Sequence, residues 1–537
     1  MSRLPERLRL ALSPDHADGA APDWVVLDLH GGYPSHRTAP LQAVLQRAES
    51  FEALTERLDR IGRSNWVRGV LVRVGGLTAG LATAHAIGAL LGRLARTKHV
   101  VGYLPQVSMR SLLVTAALEE VVAPESAEVQ VPGFAAEQLY LGSFLSRHGI
   151  AFENLRIREY KSALTRFSDD RMDEYNREQL TAYLDSAETG WVREVTRTRR
   201  LDEAGTRALL DADLSNAAQL LEAGLITRIA YDDEIVTPVE QHWGRALELM
   251  RPQLSAKQLT RKADGVAVVP VVGAIVSGRS RGGPPMPFGT GPLAGSDTVV
   301  AALRKAERDT RTKAIVLFVD SGGGSALASD LICRAVARCS KPVVAVMGEV
   351  AGSGGYYVLA QARHVVASPF TITGSIGVVV GKPVLAQFNE RHGLNPELVG
   401  REKALFASPA RGFSEDERAW AEKMMREVYD RFVDRVARGR RLTAARVDEI
   451  GRGRIWSGAD ALEIGLVDEL GDLEAGLAAA RRLAGLPAGA PVHTVGAGFA
   501  LPGTPTFARD PAAALAALWP FGQERVLTWL DRSVTIR

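Results

Sequence analysis

Residues 314–338 read AIVLFVDSGGGSALASDLICRAVAR. The six apolar residues 314–319 mark a buried strand, and Asp320-Ser321-Gly322-Gly323-Gly324-Ser325 marks a glycine-rich turn. The alanine- and leucine-bearing run 326–338 marks a helix. A strand that passes through glycines into a helix is the opening of a βαβ unit, and such units build parallel sheets. Strand-like runs flank it on both sides, AVVPVV at 267–272 and PVVAV at 342–346.

The same order occurs earlier in the chain. Residues 25–29, 69–72 and 100–103 are short and apolar, and a long helical pattern at 82–94 separates the last two. Glu120-Val121-Val122-Ala123-Pro124 matches His364-Val365-Val366-Ala367-Ser368 at an offset of 244 residues. Several elements in one order at nearly one offset indicate duplication. The expected fold is α/β with two homologous halves, 24–247 and 248–485, between an N-terminal tail (1–23) and a C-terminal tail (486–537). A length of 537 residues agrees, since one core rarely organises so long a chain.

Helical spacing of Glu, Arg and Leu recurs at 180–247 and 415–440. The Gly/Pro-rich stretch 278–295 reads as a mobile loop without a packed element. In the tail, Leu518, Trp519, Val526, Leu527, Trp529 and Leu530 suggest one amphipathic helix, docked on the body or resting on a membrane surface.

A net charge of +3, with no dense basic stretch, argues against a nucleic-acid partner. Cys333 and Cys339 lie six apart on what reads as one helix, on different faces, so they do not pair. No run of about 18 uncharged apolar residues occurs, and residues 1–23 carry charges throughout. The expectation is therefore a cytoplasmic or peripherally membrane-associated chain. There is no HExxH or paired CxxC spacing for a metal, and Gly381-Lys382-Pro383 lacks the spacing of a phosphate loop, so no cofactor is expected.

A second glycine-rich turn, Ala351-Gly352-Ser353-Gly354-Gly355-Tyr356, follows the 342–346 strand and opens another helix. The N–H groups at a helix start are unpaired and sit at the positive end of its dipole. A serine there presents its hydroxyl beside donors suited to a developing oxyanion. The N–H of Gly354, with that of Gly323 or Gly324, would supply them. The plainer alternative makes Ser353 an ordinary helix N-cap. A serine nucleophile also needs a base, and the ten histidines are scattered without a triad context.

The motifs Asp320-Ser321-x-Gly323-Gly324-Ser325, Ala351-Gly352-Ser353-Gly354-Gly355-Tyr356, Thr373-Gly374-Ser375-Ile376-Gly377 and Tyr160-Lys161-Ser162-Ala163 together resemble the long, duplicated members of the signal peptide peptidase A (protease IV) family. The resemblance spans roughly residues 25 to 480. It implies a Clp protease/crotonase-like fold and a Ser–Lys dyad, with Ser353 as nucleophile, Lys161 as general base and Ser375 hydrogen-bonded to the amine. It also implies a homotetramer that takes extended hydrophobic or signal-peptide-like peptides. A lysine with its ordinary pKa of about 10.4 is protonated at neutral pH, so a working base must be desolvated and free of carboxylates.

Lys403, in Gly400-Arg401-Glu402-Lys403-Ala404, is the rival base, since it follows Ser353 at the spacing of the short family members. The first half looks degenerate. Gly76-Leu77-Thr78-Ala79-Gly80 stands at the first turn, and the position matching Ser353 is Met109, beside Ser108. Two departures stand out: Gly322 replaces the family's usual proline, and residues 1–23 hold no apolar run resembling the N-terminal membrane anchor of the long members. Two other functions use the same frame, a crotonase-type acyl-thioester enzyme and an inactive oligomeric scaffold.

Overall fold

A computed structural model describes residues 23–34, 49–65, 67–199, 201–212, 214–235, 263–282, 292–495, 526–530 and 535–536. The chain divides into two compact units: residues 1–134 with 187–262, and residues 135–186 with 263–537. Residues 135–186, which the sequence order groups with the first half, thus belong to the unit that holds the second. The helix Glu174–Thr196 crosses this division along the chain.

The first unit carries a five-stranded, all-parallel sheet, in the order Asp23–Gly31, Val67–Leu77, His99–Tyr103, Glu120–Ala123, Arg228–Ile229. Helix Leu81–Ala95 supplies the crossover expected from the 82–94 pattern, with Ile87, Leu90, Leu91 and Leu94 buried. Parallel strands covered on both faces read as near-continuous apolar runs, which is why the β-rich stretches were legible.

The second unit is built on two sheets. In one, Gly265–Val272, Thr312–Ser321 and Val343–Gly352 lie side by side and parallel. Ile372–Gly374 pairs parallel with the last of these. The other sheet has the order Arg281–Gly282, Pro292–Gly295, Ala274–Val276, Gly323–Ser325, Leu527–Trp529, Val379–Val384, Ala151–Arg156. The chain steps from the first sheet to the second at Gly273 and again at Gly322. Gly273 has φ +86°, and a side chain there would lie 1.8 Å from the Pro292 carbonyl oxygen, so only glycine makes that step.

Two expectations need correction. Arg281–Gly282 and Pro292–Gly295, near the ends of the 278–295 stretch, are strands paired with each other, and the second also pairs with Ala274–Val276, because small residues there tolerate close backbone approach; 283–291 lie outside the described residues. In the tail, Leu527–Trp529 is a strand and not part of an amphipathic helix: alternating apolar side chains in a two-sided slot satisfy a period of two as well as one of 3.6. Leu518 and Trp519 lie outside the described residues. Among the described residues no helix is long and apolar enough to cross a membrane.

Candidate active site

The strand Val343–Gly352 ends at Ser353, and helix Gly354–Leu359 begins immediately after it. Ser353 has φ +52° and ψ −117°, a conformation that L-residues rarely adopt, and its side chain does not cap the helix. This turn throws the hydroxyl away from the helix it precedes. Glycines on both sides permit it. A side chain on Gly355 would lie 2.1 Å from the Ser321 carbonyl oxygen, so the two glycine-rich turns pack backbone against backbone.

Ser375 follows the strand Ile372–Gly374 and also has positive φ, at +49°. The Ser353 N–H donates to the Gly374 carbonyl at 2.8 Å, and the Ser375 N–H donates to the Arg454 carbonyl at 2.7 Å. Strained residues persist where their surroundings fix them, and they gather at functional sites.

Lys161 is brought to these serines by a six-residue antiparallel ladder, from Val379 opposite Arg156 to Val384 opposite Ala151. Its backbone lies against Gly453 (φ +83°), where a side chain would come within 2.6 Å of the Lys161 nitrogen. Its stem packs on Gly377, where a side chain would meet Cδ at 3.1 Å. Buried Gln179 holds the turn from the other side. It donates to the Tyr160 carbonyl and the Ser162 hydroxyl, both at 3.2 Å, and accepts from the Ile455 N–H at 3.0 Å.

The result is an amine ringed by three oxygens. Lys161 Nζ lies 2.7 Å from Ser353 Oγ, 2.9 Å from Ser375 Oγ and 3.1 Å from the Ser375 carbonyl oxygen. Lys161 is 1% exposed and Ser353 0%. Among the described residues no carboxylate forms an ion pair with Lys161, and burial pushes its pKa well below lysine's ordinary 10.5. Three oxygens suit both protonation states. A neutral amine donates two hydrogens and accepts the third from Ser353, while an ammonium donates to all three.

The remaining expected residues fall as follows. Gly323 and Gly324 form a strand against Ala274–Val276, and a side chain on Gly323 would lie 2.4 Å from the Gly354 nitrogen, so these backbones meet. The Gly323 N–H donates to Ser321 Oγ at 3.0 Å. Lys403 is exposed on the short turn Glu402–Leu405. Lys382 is also buried, but its amine donates to the Phe406 and Ser408 carbonyls at 2.8 and 2.9 Å and lies 4.4 Å from the Phe413 ring centre. Desolvation lowers its pKa to about 8, so burial shifts both lysines in the same direction; the two hydroxyls beside the amine distinguish Lys161.

In the first unit, Ser108 caps helix Met109–Thr115, its side chain accepting from the Ser111 N–H in a reciprocal capping box. The Met109 side chain is buried. This turn does what the plainer reading allowed for Ser353.

Gln179 and Gly453 were not singled out from sequence, and Gly377 was noted only as part of the Ser375 motif. A lone glutamine in a helix and glycines in loops carry no local signal of a neighbour about 200 or more residues away.

A family model described as "Peptidase family S49" matches the chain twice, at residues 93–245 and 335–487. The chain is 30% identical to "Serine protease SPPA, chloroplastic" of Arabidopsis thaliana over 82% of its own length and 66% of that protein. It is 27% identical to "Protease 4" of Haemophilus influenzae over 72% of its length and 65% of that protein. It is 29% identical to "Protease 4" of Salmonella typhi over 67% of its length and 59% of that protein. The matches therefore span between 59% and 66% of these relatives, less than two thirds of each.

Proposed function

This chain belongs to peptidase family S49, and on that premise we propose that it is a serine endopeptidase with Ser353 as nucleophile and Lys161 as general base. The observation that carries the reading is the 2.7 Å contact between a fully buried amine and a hydroxyl on a strained turn.

The neutral amine takes the proton from Ser353 Oγ as that oxygen attacks a peptide carbonyl carbon. Negative charge then develops on the carbonyl oxygen, where backbone N–H groups stabilise it. Gly324 and Gly354 are the better donors, because the Gly323 N–H is already engaged by Ser321. The ammonium, held by Ser375, returns its proton to the leaving amine, which departs and leaves an acyl ester on Ser353. The amine then deprotonates a water, which attacks the ester; the ammonium returns that proton to the departing Ser353 Oγ as the acid is released, which restores the neutral amine.

The passage of the chain between two sheets at Gly273 and Gly322 fits a Clp protease/crotonase-like frame, and we take that as the fold. Hydrophobic or signal-peptide-like segments are the substrate class, and self-assembly into a tetramer is the expected state. Light scattering that finds only monomer at working concentration would remove the tetramer. The test of the chemistry is labelling by a serine-directed fluorophosphonate together with hydrolysis of a quenched apolar peptide. Both are expected in the intact chain and absent in Ser353→Ala; labelling that survives Ser353→Ala would end the proposal.

A further inference from the structure

The strands Gly323–Ser325 and Val379–Val384 do not pair with each other. Between them lies Leu527–Trp529, antiparallel to both, with Thr528 opposite Gly324 and Leu527 opposite Val379. Around this strand, the Leu530 N–H donates to the Gly322 carbonyl at 2.6 Å and the Ala326 N–H donates to the Val526 carbonyl at 3.2 Å. Hydrogen-bonded pairs alternate along an antiparallel ladder, so Gly324–Thr528 is the bonded pair between them.

The position of one atom sets this strand apart from ordinary sheet completion. A methyl group on Gly323 would lie 2.1 Å from the Thr528 carbonyl oxygen, and one on Gly354 would lie 2.8 Å from the same oxygen. That oxygen therefore sits against Gly354, one of the two glycines proposed to bind the oxyanion, and against Gly323, the neighbour of the other. The side chains follow the same logic. Leu527 is buried with Ala163, Leu164 and Val379. Thr528 is wholly buried, its hydroxyl 3.5 Å from Ser329 Oγ, and the Leu530 side chain lies over Gly352, beside the nucleophile. Further on, Thr535–Ile536 pairs with Ala136–Glu137, a second attachment for the end of the chain.

From these contacts we infer that residues 526–530 are an intramolecular stand-in for substrate: they occupy the strand slot at Ser353, with the Thr528 carbonyl where a scissile carbonyl would lie, and an incoming peptide must displace them. The inference rests on the proposed role of Ser353 for its meaning, but not for its test. An extended apolar chain binds such a slot by strand addition, and a tethered competitor lowers its apparent affinity by the fraction of molecules with the slot open.

The experiment uses the full-length chain in a Ser353→Ala background, so that nothing is cleaved. A fluorescein-labelled synthetic peptide copying residues 524–532 is titrated while anisotropy is followed, with and without the pair Leu527→Asp and Leu530→Pro. The substitutions remove an apolar anchor and the N–H that donates to Gly322. We expect at least about tenfold tighter binding to the altered tail. Equal affinity, or no binding to either protein, overturns the inference. Hydrogen exchange on the Ser353→Ala protein covers the case in which the altered chain misfolds. Saturating peptide should strip protection from the 527–530 amides, and protection that persists with peptide bound overturns the inference equally. Tighter binding by the altered tail, in a chain whose intact Ser353 form hydrolyses nothing, would sink the peptidase reading alone. Turnover indifferent to the tail would sink this one alone.

Discussion

A buried amine without a carboxylate has one cheap way to exist, which is uncharged, and Lys161 has two hydroxyls and a carbonyl to satisfy it in that state. Lys161→Ala should therefore lower kcat/KM by at least about a thousandfold, as expected when a base is removed from a nucleophile that cannot act alone. Lys161→Arg should fare no better, because a guanidinium does not give up its proton. Lys403→Ala, at an exposed position, should stay within about twofold, as surface changes away from a site usually do. Peptide hydrolysis by the three variants decides between the lysines, and an active Lys161→Ala beside a dead Lys403→Ala would reverse the assignment.

The same residue sets the pH profile. The base must be neutral, so kcat/KM should climb with pH and level off above the pKa of Lys161, well below 10.5. Ser375 Oγ accepts from the charged amine, so Ser375→Ala withdraws support from the ammonium and should move that limb to lower pH. Loss of a hydrogen bond to a charged group also points to a fall in kcat of about ten- to a hundredfold. A limb that stays in place would mean that Ser375 does not touch the working amine.

At the level of elements, the site depends on where backbones are allowed to touch. Gly453 seats the Lys161 backbone at φ +83°, and an added methyl group would lie 2.6–2.7 Å from three of its atoms. Gly453→Ala should destabilise the chain by about 1–3 kcal/mol through strain and overpacking and should lose most activity with it. Thermal melts and peptide turnover check both halves, and wild-type turnover would show that this seat does not position the amine.

The elements also show where sequence reading works. The helices Ala326–Arg338 and Glu415–Arg440 and the strand Glu120–Ala123 lie where the periodicity put them, because each buries a face that its own pattern declares. Ser353, Lys161 and Ser375 were named by motif, and both serine hydroxyls lie within hydrogen-bond distance of the Lys161 amine. What stayed hidden is tertiary. The partnership of 135–186 with the second unit is fixed by a ladder between segments more than 200 residues apart. A five-residue apolar tail reads equally as helix or strand until the slot it fills is known.

On the scale of the whole molecule, a buried neutral lysine couples folding to pH. Between the folded pKa of Lys161 and the unfolded value of about 10.4, the unfolded chain holds a proton that the folded chain lacks. Stability should therefore rise with pH across that window and fall as pH drops toward the folded pKa. Lys382, whose folded pKa is about 8, adds a slope of the same sign, so the diagnostic is a difference. Lys161→Met should flatten part of the rise and should not lower the melting temperature near neutrality. Parallel slopes for the two proteins would show that the amine is charged in the folded state.

The nucleophile and the amine stand 192 positions apart in the chain, and the glycine that seats the amine comes later still, at 453. A ribosome making this protein therefore releases Lys161 long before anything exists to dry it. A chain stalled or clipped short of Gly453 would carry Ser353 and Lys161 without the glycine that seats the amine. The proposed pair is therefore seated only after synthesis has passed Gly453.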